Sequence, residues 1–169
     1  MPLLNKAFFL DRDGVLIDDV GHLNNIKQIK FLKQTYKVLN LLTKNKFKLI
    51  IITNQSVVGR GHITENYLKK IHNNIKKKLK ERNIKISGIY YCPHHPKYGI
   101  GKYKKNCKCR KPNNLLIRKA IAEHKIDIKK SFFIGDKLSD KHCAIKSKIS
   151  FSYRSKINFY LQIKRLINK

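Results

Sequence analysis

Two aspartates spaced i, i+2 stand directly after an apolar run in Ala7-Phe8-Phe9-Leu10-Asp11-Arg12-Asp13-Gly14. A short apolar run closed by glycine predicts a buried strand emptying into a tight turn. Open α/β sheets carry their ligand chemistry at the carboxyl ends of such strands. Carboxylates held close together there repel one another unless a cation or a reaction uses them. Taken alone, the pair is equally a surface turn with incidental acids. Two further predicted strands change the balance. Lys48-Leu49-Ile50-Ile51-Ile52 runs into Thr53-Asn54-Gln55-Ser56, and Ser131-Phe132-Phe133-Ile134 runs into Gly135-Asp136-Lys137. In a parallel sheet the three polar ends share one edge and can converge on one crevice. Oxygen ligands from Asp11 and Asp136 suit Mg²⁺, which binds through one or two carboxylates plus substrate phosphate. A carboxylate beside such an ion can attack a phosphoryl group, which makes Asp11 a candidate nucleophile. Asp13 could protonate the departing alkoxide and later activate water. Thr53 and Asn54 offer neutral donors for phosphoryl oxygens. Lys111, in Cys109-Arg110-Lys111-Pro112, offers the cation that the transition state requires.

The cysteines point to a second metal. Cys92-x-His94 and Cys107-x-Cys109 together form a Cys₃His set that matches closed, structural Zn²⁺ sites, with His95 as a possible substitute ligand. The intervening stretch, His95 to Asn106, lacks the apolar residues to fold by itself, and metal binding would remedy that. Arg110 and Lys111 follow Cys109 directly, so the inferred role of zinc is to hold cations in place. Cys143 reads as a small buried hydrophobe.

The elements that must position these groups alternate along the chain. Helices are predicted over Gln34 to Lys46, from an N-cap at Thr64 to about Arg82, from Asn113 to Lys125, over 138–147 and near 156–167. Strands are predicted at the three sites above, at Gly88-Ile89-Tyr90-Tyr91 and at 149–153. Residues 12–30 read as a polar connection, and Gly59-Arg60-Gly61 as a flexible loop. Strands alternating with helices imply right-handed βαβ units and a mainly parallel sheet.

Composition sets the outer bounds. The chain has 169 residues, with 41% hydrophobic and 29% charged, ordinary values for a globular protein with a real core. Pro2-Leu3-Leu4 is too short for a signal-peptide core, and no apolar run approaches the ~20 residues that cross a bilayer. A cytoplasmic enzyme without membrane contact is therefore expected. The formal charge of +29 could attract nucleic acid at low salt. However, the lysines are spread evenly, and Ile and Asn, which like Lys have AT-rich codons, are also over-used. Biased genome composition suffices, so no specific nucleic-acid partner is expected.

Asp-x-Asp-Gly, Thr-Asn, a later lysine and a final Gly-Asp-x-x-x-Asp, in that order, resemble the haloacid dehalogenase (HAD) superfamily of phosphatases. The fuller strings narrow the resemblance: Phe9 to Gly14, Thr53 to Ser56, Tyr90-Tyr91-Cys92-Pro93-His94-His95-Pro96, Cys107 to Pro112 and Gly135 to Lys137. Over residues 7 to about 150 they resemble the D-glycero-D-manno-heptose 1,7-bisphosphate 7-phosphatase family. That resemblance implies an α/β fold, a Rossmann-like three-layer sandwich in one domain over 1–169, with a zinc loop at about 92–109 and no large cap. It implies Asp11 as nucleophile and Asp13 as general acid/base. Mg²⁺ would lie on Asp11, Asp136 and the backbone carbonyl of Asp13, and Zn²⁺ on Cys92, His94, Cys107 and Cys109. Thr53, Asn54 and Lys111 would bind the transferring phosphoryl group. Arg110 and Lys137 would orient a sugar bisphosphate, a role the guanidinium fork suits independently. Asp19, Val20, Gly21, His22, Gln55 and Ser56 would line the sugar site of a monomeric enzyme. The chain departs from the family at Val15, where threonine is usual. It departs again at Pro112-Asn113-Asn114-Leu115, which leaves open where the next helix starts. The alternatives are a histidinol-phosphate phosphatase and a non-catalytic zinc-containing nucleic-acid binder. The loop from Gln55 to Gly61 and Arg110 favour the bisphosphate; the nucleic-acid reading leaves three acids at the strand ends without a purpose.

Overall fold

The computed structural model describes residues 4–168; the residues before Leu4 in the amino-terminal reading lie outside them. Five strands form one sheet: β1 (Ala7–Leu10), β2 (Lys48–Asn54), β3 (Gly88–Cys92), β4 (Phe132–Gly135) and β5 (Ser150–Tyr153). Their order is β3-β2-β1-β4-β5, and every pairing is parallel. The helices are α1 (Thr35–Lys44), α2 (Ser56–Gly59), α3 (Glu65–Lys80), α4 (Leu115–His124), α5 (Leu138–Lys146) and α6 (Phe159–Ile167).

Side chains alternate across a strand, and here both faces are covered, so the central strands read as unbroken apolar runs. Phe8 and Leu10 pack with Val38, Leu39 and Leu42 of α1, Ile71, Ile75 and Leu79 of α3, and Phe159 and Ile163 of α6. Ala7 and Phe9 face the other way, onto Leu116, Ile117 and Ala120 of α4 and Cys143 and Ala144 of α5. The sheet therefore lies between two helix layers, the three-layer arrangement expected. Cys143 is wholly buried, as read. Thr64 caps α3, its hydroxyl accepting from the Tyr67 N–H at 3.1 Å.

Several local expectations are corrected. Residues 12–30 are not merely a polar connection: Val15, Leu16 and Ile17 are fully buried. The Arg12 carbonyl accepts from Leu16 N and Ile17 N, and Ile17 bridges to Phe31, so the segment folds back onto the core. Strand β2 continues past Ile52 through Thr53 and Asn54, because Tyr91 and Cys92 of β3 extend the pairing. The stretch at Gly59 is ordered as the helical turn α2, with Val57 and Val58 packed on Leu68. A Cβ at Gly59 would stand 2.3 Å from the Pro93 carbonyl oxygen, so glycine lets this turn close against the cysteine loop. Helix α4, expected from Asn113, starts at Leu115, with Asn114 donating across to the Lys146 carbonyl at 2.9 Å.

Candidate active site

The ends of β1, β2 and β4 meet at one edge. There Asp11, Asp13, Thr53, Asn54, Lys111, Lys137, Ser139 and Asp140 line a cavity of about 40 Å³. Asp11 is fixed by its N–H, which donates to the Ile134 carbonyl at 3.0 Å. Lys111, 4% exposed, extends its ammonium to Asp11 Oδ1 at 2.7 Å and Asp140 Oδ1 at 2.6 Å, and donates to the Ile52 carbonyl at 3.0 Å. Burial alone would depress that ammonium, but the charges of Asp11 and Asp140 hold it above the ordinary lysine value. Burial pushes the Asp11 carboxyl up to about 7 against the pull of Lys111, with Asp140 and Asp13 adding to the rise.

Sequence reading placed Asp140 in a motif but gave it no role. Its buried carboxylate takes the Asp136 and Lys137 N–H groups on Oδ2, both at 3.1 Å, and Lys111 on Oδ1. It thereby orders the turn after β4 and anchors the lysine. The spacing of four residues after Asp136 was the available signal.

Asp11, Asp136 and Asp140 each bring a carboxylate oxygen within 4.8 Å of the others. Three acids share Lys111, while Lys137 is paired with Asp19 at the rim, which leaves net negative charge in a partly dry site, the donor chemistry of a hard divalent ion. Desolvation also raises Asp136, with Asp140 and Asp19 adding and Lys137 opposing. Gly14, at φ +77°, makes room for this carboxylate: a Cβ there would stand 2.3 Å from Asp136 Oδ2. The residues fit Mg²⁺.

Asp13 is not one of those three acids, although it lines the same cavity. Arg12 holds it in a fork, Nε to Oδ1 at 3.0 Å and Nη2 to Oδ2 at 2.9 Å, and Gln55 Nε2 adds a bond to Oδ2 at 2.8 Å. The same Gln55 amide donates to Thr53 Oγ1 at 2.8 Å and accepts from Arg12 at 2.8 Å. Asn54 joins its carboxamide to the Lys111 main chain, donating to the carbonyl at 3.1 Å and accepting from the N–H at 3.0 Å. Both amides thus hold other site residues in place. No local pattern shows this, because the partners lie 42 and 57 residues away.

At the rim, Lys137 Nζ meets Asp19 Oδ2 at 2.8 Å, which brings the Asp19 to His22 stretch beside the turn after β4. Against partial burial, hydrogen bonds from Lys137 and the Gly21 N–H hold Asp19 below the usual carboxylate range. Val20, Gly21 and His22 are exposed, and Ser56 opens α2. The His22 ring lies 5.2 Å from that of His62. Arg110 donates to the His94 carbonyl at 3.0 Å, and Arg60 of the Gly59-Arg60-Gly61 stretch lies over the Tyr98 ring at 4.3 Å.

Cys92, His94, Cys107 and Cys109 form the second cluster. Their sulfur–sulfur separations are 3.0 to 3.3 Å, far beyond a disulfide, and His94 Nδ1 lies 3.3 Å from Cys109 Sγ and 3.6 Å from Cys92 Sγ. Thiolates at ~2.3 Å from a tetrahedral zinc stand roughly 3.8 Å apart, so the set is a slightly contracted tetrahedron that fits the ion. His95 does not join it: its Nδ1 accepts from Lys97 N and Tyr98 N at 3.2 and 3.0 Å. The loop also has protein anchors that were not foreseen. Tyr103 and Tyr91 donate to Glu65 at 2.7 and 2.8 Å, and Ile100 N donates to the Gly59 carbonyl at 2.8 Å.

A family profile described as polynucleotide kinase 3 phosphatase matches residues 6–163. D-glycero-beta-D-manno-heptose-1,7-bisphosphate 7-phosphatase of Haemophilus influenzae is 39% identical over 88% of this chain and 80% of that protein. The enzyme of the same name from Escherichia coli K12 is 34% identical over 85% of this chain and 75% of that protein. Among solved structures, D,D-heptose 1,7-bisphosphate phosphatase from B. bronchiseptica, complexed with magnesium and phosphate, superposes with a TM-score of 0.76 at 26% identity, covering 88% of this chain and 78% of that one. A HAD-like phosphatase from Mesorhizobium loti shares the fold at a TM-score of 0.90 and 21% identity, over 98% of this chain and 87% of that one. With relatives so named matching most of its length, the chain is a phosphoric monoester hydrolase with a HAD-like fold and belongs to the heptose-1,7-bisphosphate 7-phosphatase family.

Proposed function

We propose that the enzyme removes the 7-phosphate of D-glycero-D-manno-heptose 1,7-bisphosphate through an aspartyl-phosphate on Asp11, a step in making nucleotide-activated heptose for the lipopolysaccharide core. The observation that carries the chemistry is the buried Lys111 shared between Asp11 and Asp140 at the sheet edge. The relatives' names supply the substrate. Asp11 attacks phosphorus, and the bond from phosphorus to the sugar oxygen breaks as Asp13 gives that oxygen a proton. Asp13 then takes a proton from the water that attacks the acyl-phosphate, which regenerates Asp11 and frees phosphate. Lys111 and the Thr53 hydroxyl stabilise charge on the transferring oxygens. Asp11, Asp136 and the Asp13 carbonyl would hold Mg²⁺, which supplies charge neutralisation between the nucleophile and the phosphoryl group. Zinc on the Cys₃His set is structural. It keeps Arg110, which binds the non-reacting phosphate, and Lys111 in register with the sheet edge, while Asp19 to His22, Gln55, Ser56 and Lys137 line the sugar.

The test is a panel assayed for released phosphate with Mg²⁺ present: the anomers of heptose 1,7-bisphosphate, histidinol phosphate, fructose 1,6-bisphosphate and a 3′-phosphorylated oligonucleotide. The heptose bisphosphate is expected to show the highest kcat/KM by at least tenfold. Preferred turnover of histidinol phosphate or the oligonucleotide would replace this reading.

A further inference from the structure

Arg12 is among the largest side chains with almost no exposure, and the proposed chemistry gives it nothing to do. Its guanidinium carries five N–H donors and no acceptor. One goes from Nε and two from Nη2 to Asp13 and Gln55, and Nη1 approaches His72 Nε2 at 3.2 Å. Because arginine can only donate, His72 Nε2 must accept, so the ring is neutral with its proton on Nδ1. His72 comes from α3, 60 residues away, is 6% exposed, and stands edge-on to Tyr91 with ring centroids 5.6 Å apart. Burial, with the charges of Arg12 and Lys76, pushes this imidazole down to about 3, which agrees with the neutral form.

An arginine fork grips a carboxylate in one plane, but only if the fork itself cannot swing. Asp13 and Gln55 hold one end of this guanidinium, and His72 holds the far end. We propose that His72 is a positioning residue for proton transfer: by accepting from Arg12 Nη1 it locks the fork that aims the Asp13 carboxyl at the leaving oxygen. This rests on the reading of Asp13 as the general acid. It goes beyond that reading in assigning work to a helix residue that touches neither substrate nor metal.

A purely structural role for His72 would affect all substrates alike, whereas a role in aiming the acid depends on the leaving group. A sugar alkoxide needs its proton as the bond breaks; p-nitrophenolate leaves without one. The value of kcat/KM covers only the steps through departure of the leaving group. The ratio of kcat/KM for the sugar bisphosphate to that for p-nitrophenyl phosphate therefore isolates the acid. Measured in one preparation, it also cancels any loss of folded protein. Two polar variants bracket the geometry: in His72→Gln an amide oxygen reaches to about the place of Nε2, and in His72→Asn it stops short. The ratio should fall about tenfold in His72→Asn, without a rise in KM to account for it, and return to within about twofold of wild type in His72→Gln. An unchanged ratio in His72→Asn, or a fall explained by KM alone, overturns the proposal. If the wild type releases no phosphate from the sugar bisphosphate, it is the substrate reading that fails. The ratio is then taken with histidinol phosphate, also an alkyl ester, and judges His72 by the same two outcomes.

Discussion

At the residue scale, one buried cation serves two buried acids. Lys111 is 2% exposed at its side chain, Asp11 7% and Asp140 0%, so neither acid has water to fall back on. Removing one partner from a buried pair leaves an uncompensated charge, at a cost of about 3–5 kcal/mol. Lys111→Met should therefore lower stability by about that amount and cut kcat by roughly 10³ or more, since electrostatic stabilisation of the transferring group is lost as well. Urea unfolding and steady-state kinetics on the same sample check both. What sequence shows at this scale is chemical type and order: acids and Thr-Asn at strand ends, and a later lysine in a connection. What it hides is the partner of each group. The bonds from Lys111 to Asp11, from Gln55 to Asp13 and from Arg12 to His72 span 100, 42 and 60 residues, and no local periodicity carries such pairings. Arg12 stands inside the Asp-x-Asp string but gains a role only once its burial and its bond to His72 are known.

At the element scale, the site is made by strand ends and by a cysteine loop pressed onto α2 and α3. The strands were readable because burial on both faces makes them continuous apolar runs. Their ends shifted by a residue or two where neighbouring strands prolonged the ladder, as β3 does for β2. The turn α2 escaped notice because four residues show no helical period, and two glycines nearby suggested freedom. Gly59 shows the opposite, a close approach to Pro93 that a side chain would block. Gly59→Ala should destabilise by about 1–3 kcal/mol through overpacking. It should also raise KM for the bisphosphate more than it lowers kcat, because the loop carrying Arg110 is displaced while Asp11 is not. Differential scanning calorimetry and a KM series on the variant test the two parts; a silent substitution would mean that the loop does not depend on this contact.

At the scale of the whole molecule, the net charge of +29 is carried by a protein whose acids are concentrated in its working parts: Asp11, Asp13, Asp19, Asp136 and Asp140 line or brace the site. Stability against acid should depend on a buried group outside that set. His72 has an ordinary value of 6.5 and a folded value of about 3. Its depressed folded value makes it a stabilising contribution that is complete above pH ~6.5. Below that the unfolded chain binds a proton that the folded state refuses, and stability falls by about 1.4 kcal/mol per pH unit toward pH ~3. Between pH 7.5 and 5.5, wild type should thus lose about 1.4 kcal/mol more than His72→Gln, read from urea midpoints at the two pH values. Equal losses would place the titration elsewhere.

In the proposed reaction a protein oxygen, and not water, first attacks the phosphoryl group. The direct measurement is to quench a turning-over mixture of enzyme, Mg²⁺ and heptose 1,7-bisphosphate, reduce it with borohydride and map the peptides by mass spectrometry. An acyl-phosphate at Asp11 is reduced to homoserine, so the account predicts homoserine at position 11, dependent on substrate and absent from Asp11→Asn. Steady release of phosphate with Asp11 unmodified, or turnover retained in Asp11→Asn, would contradict it.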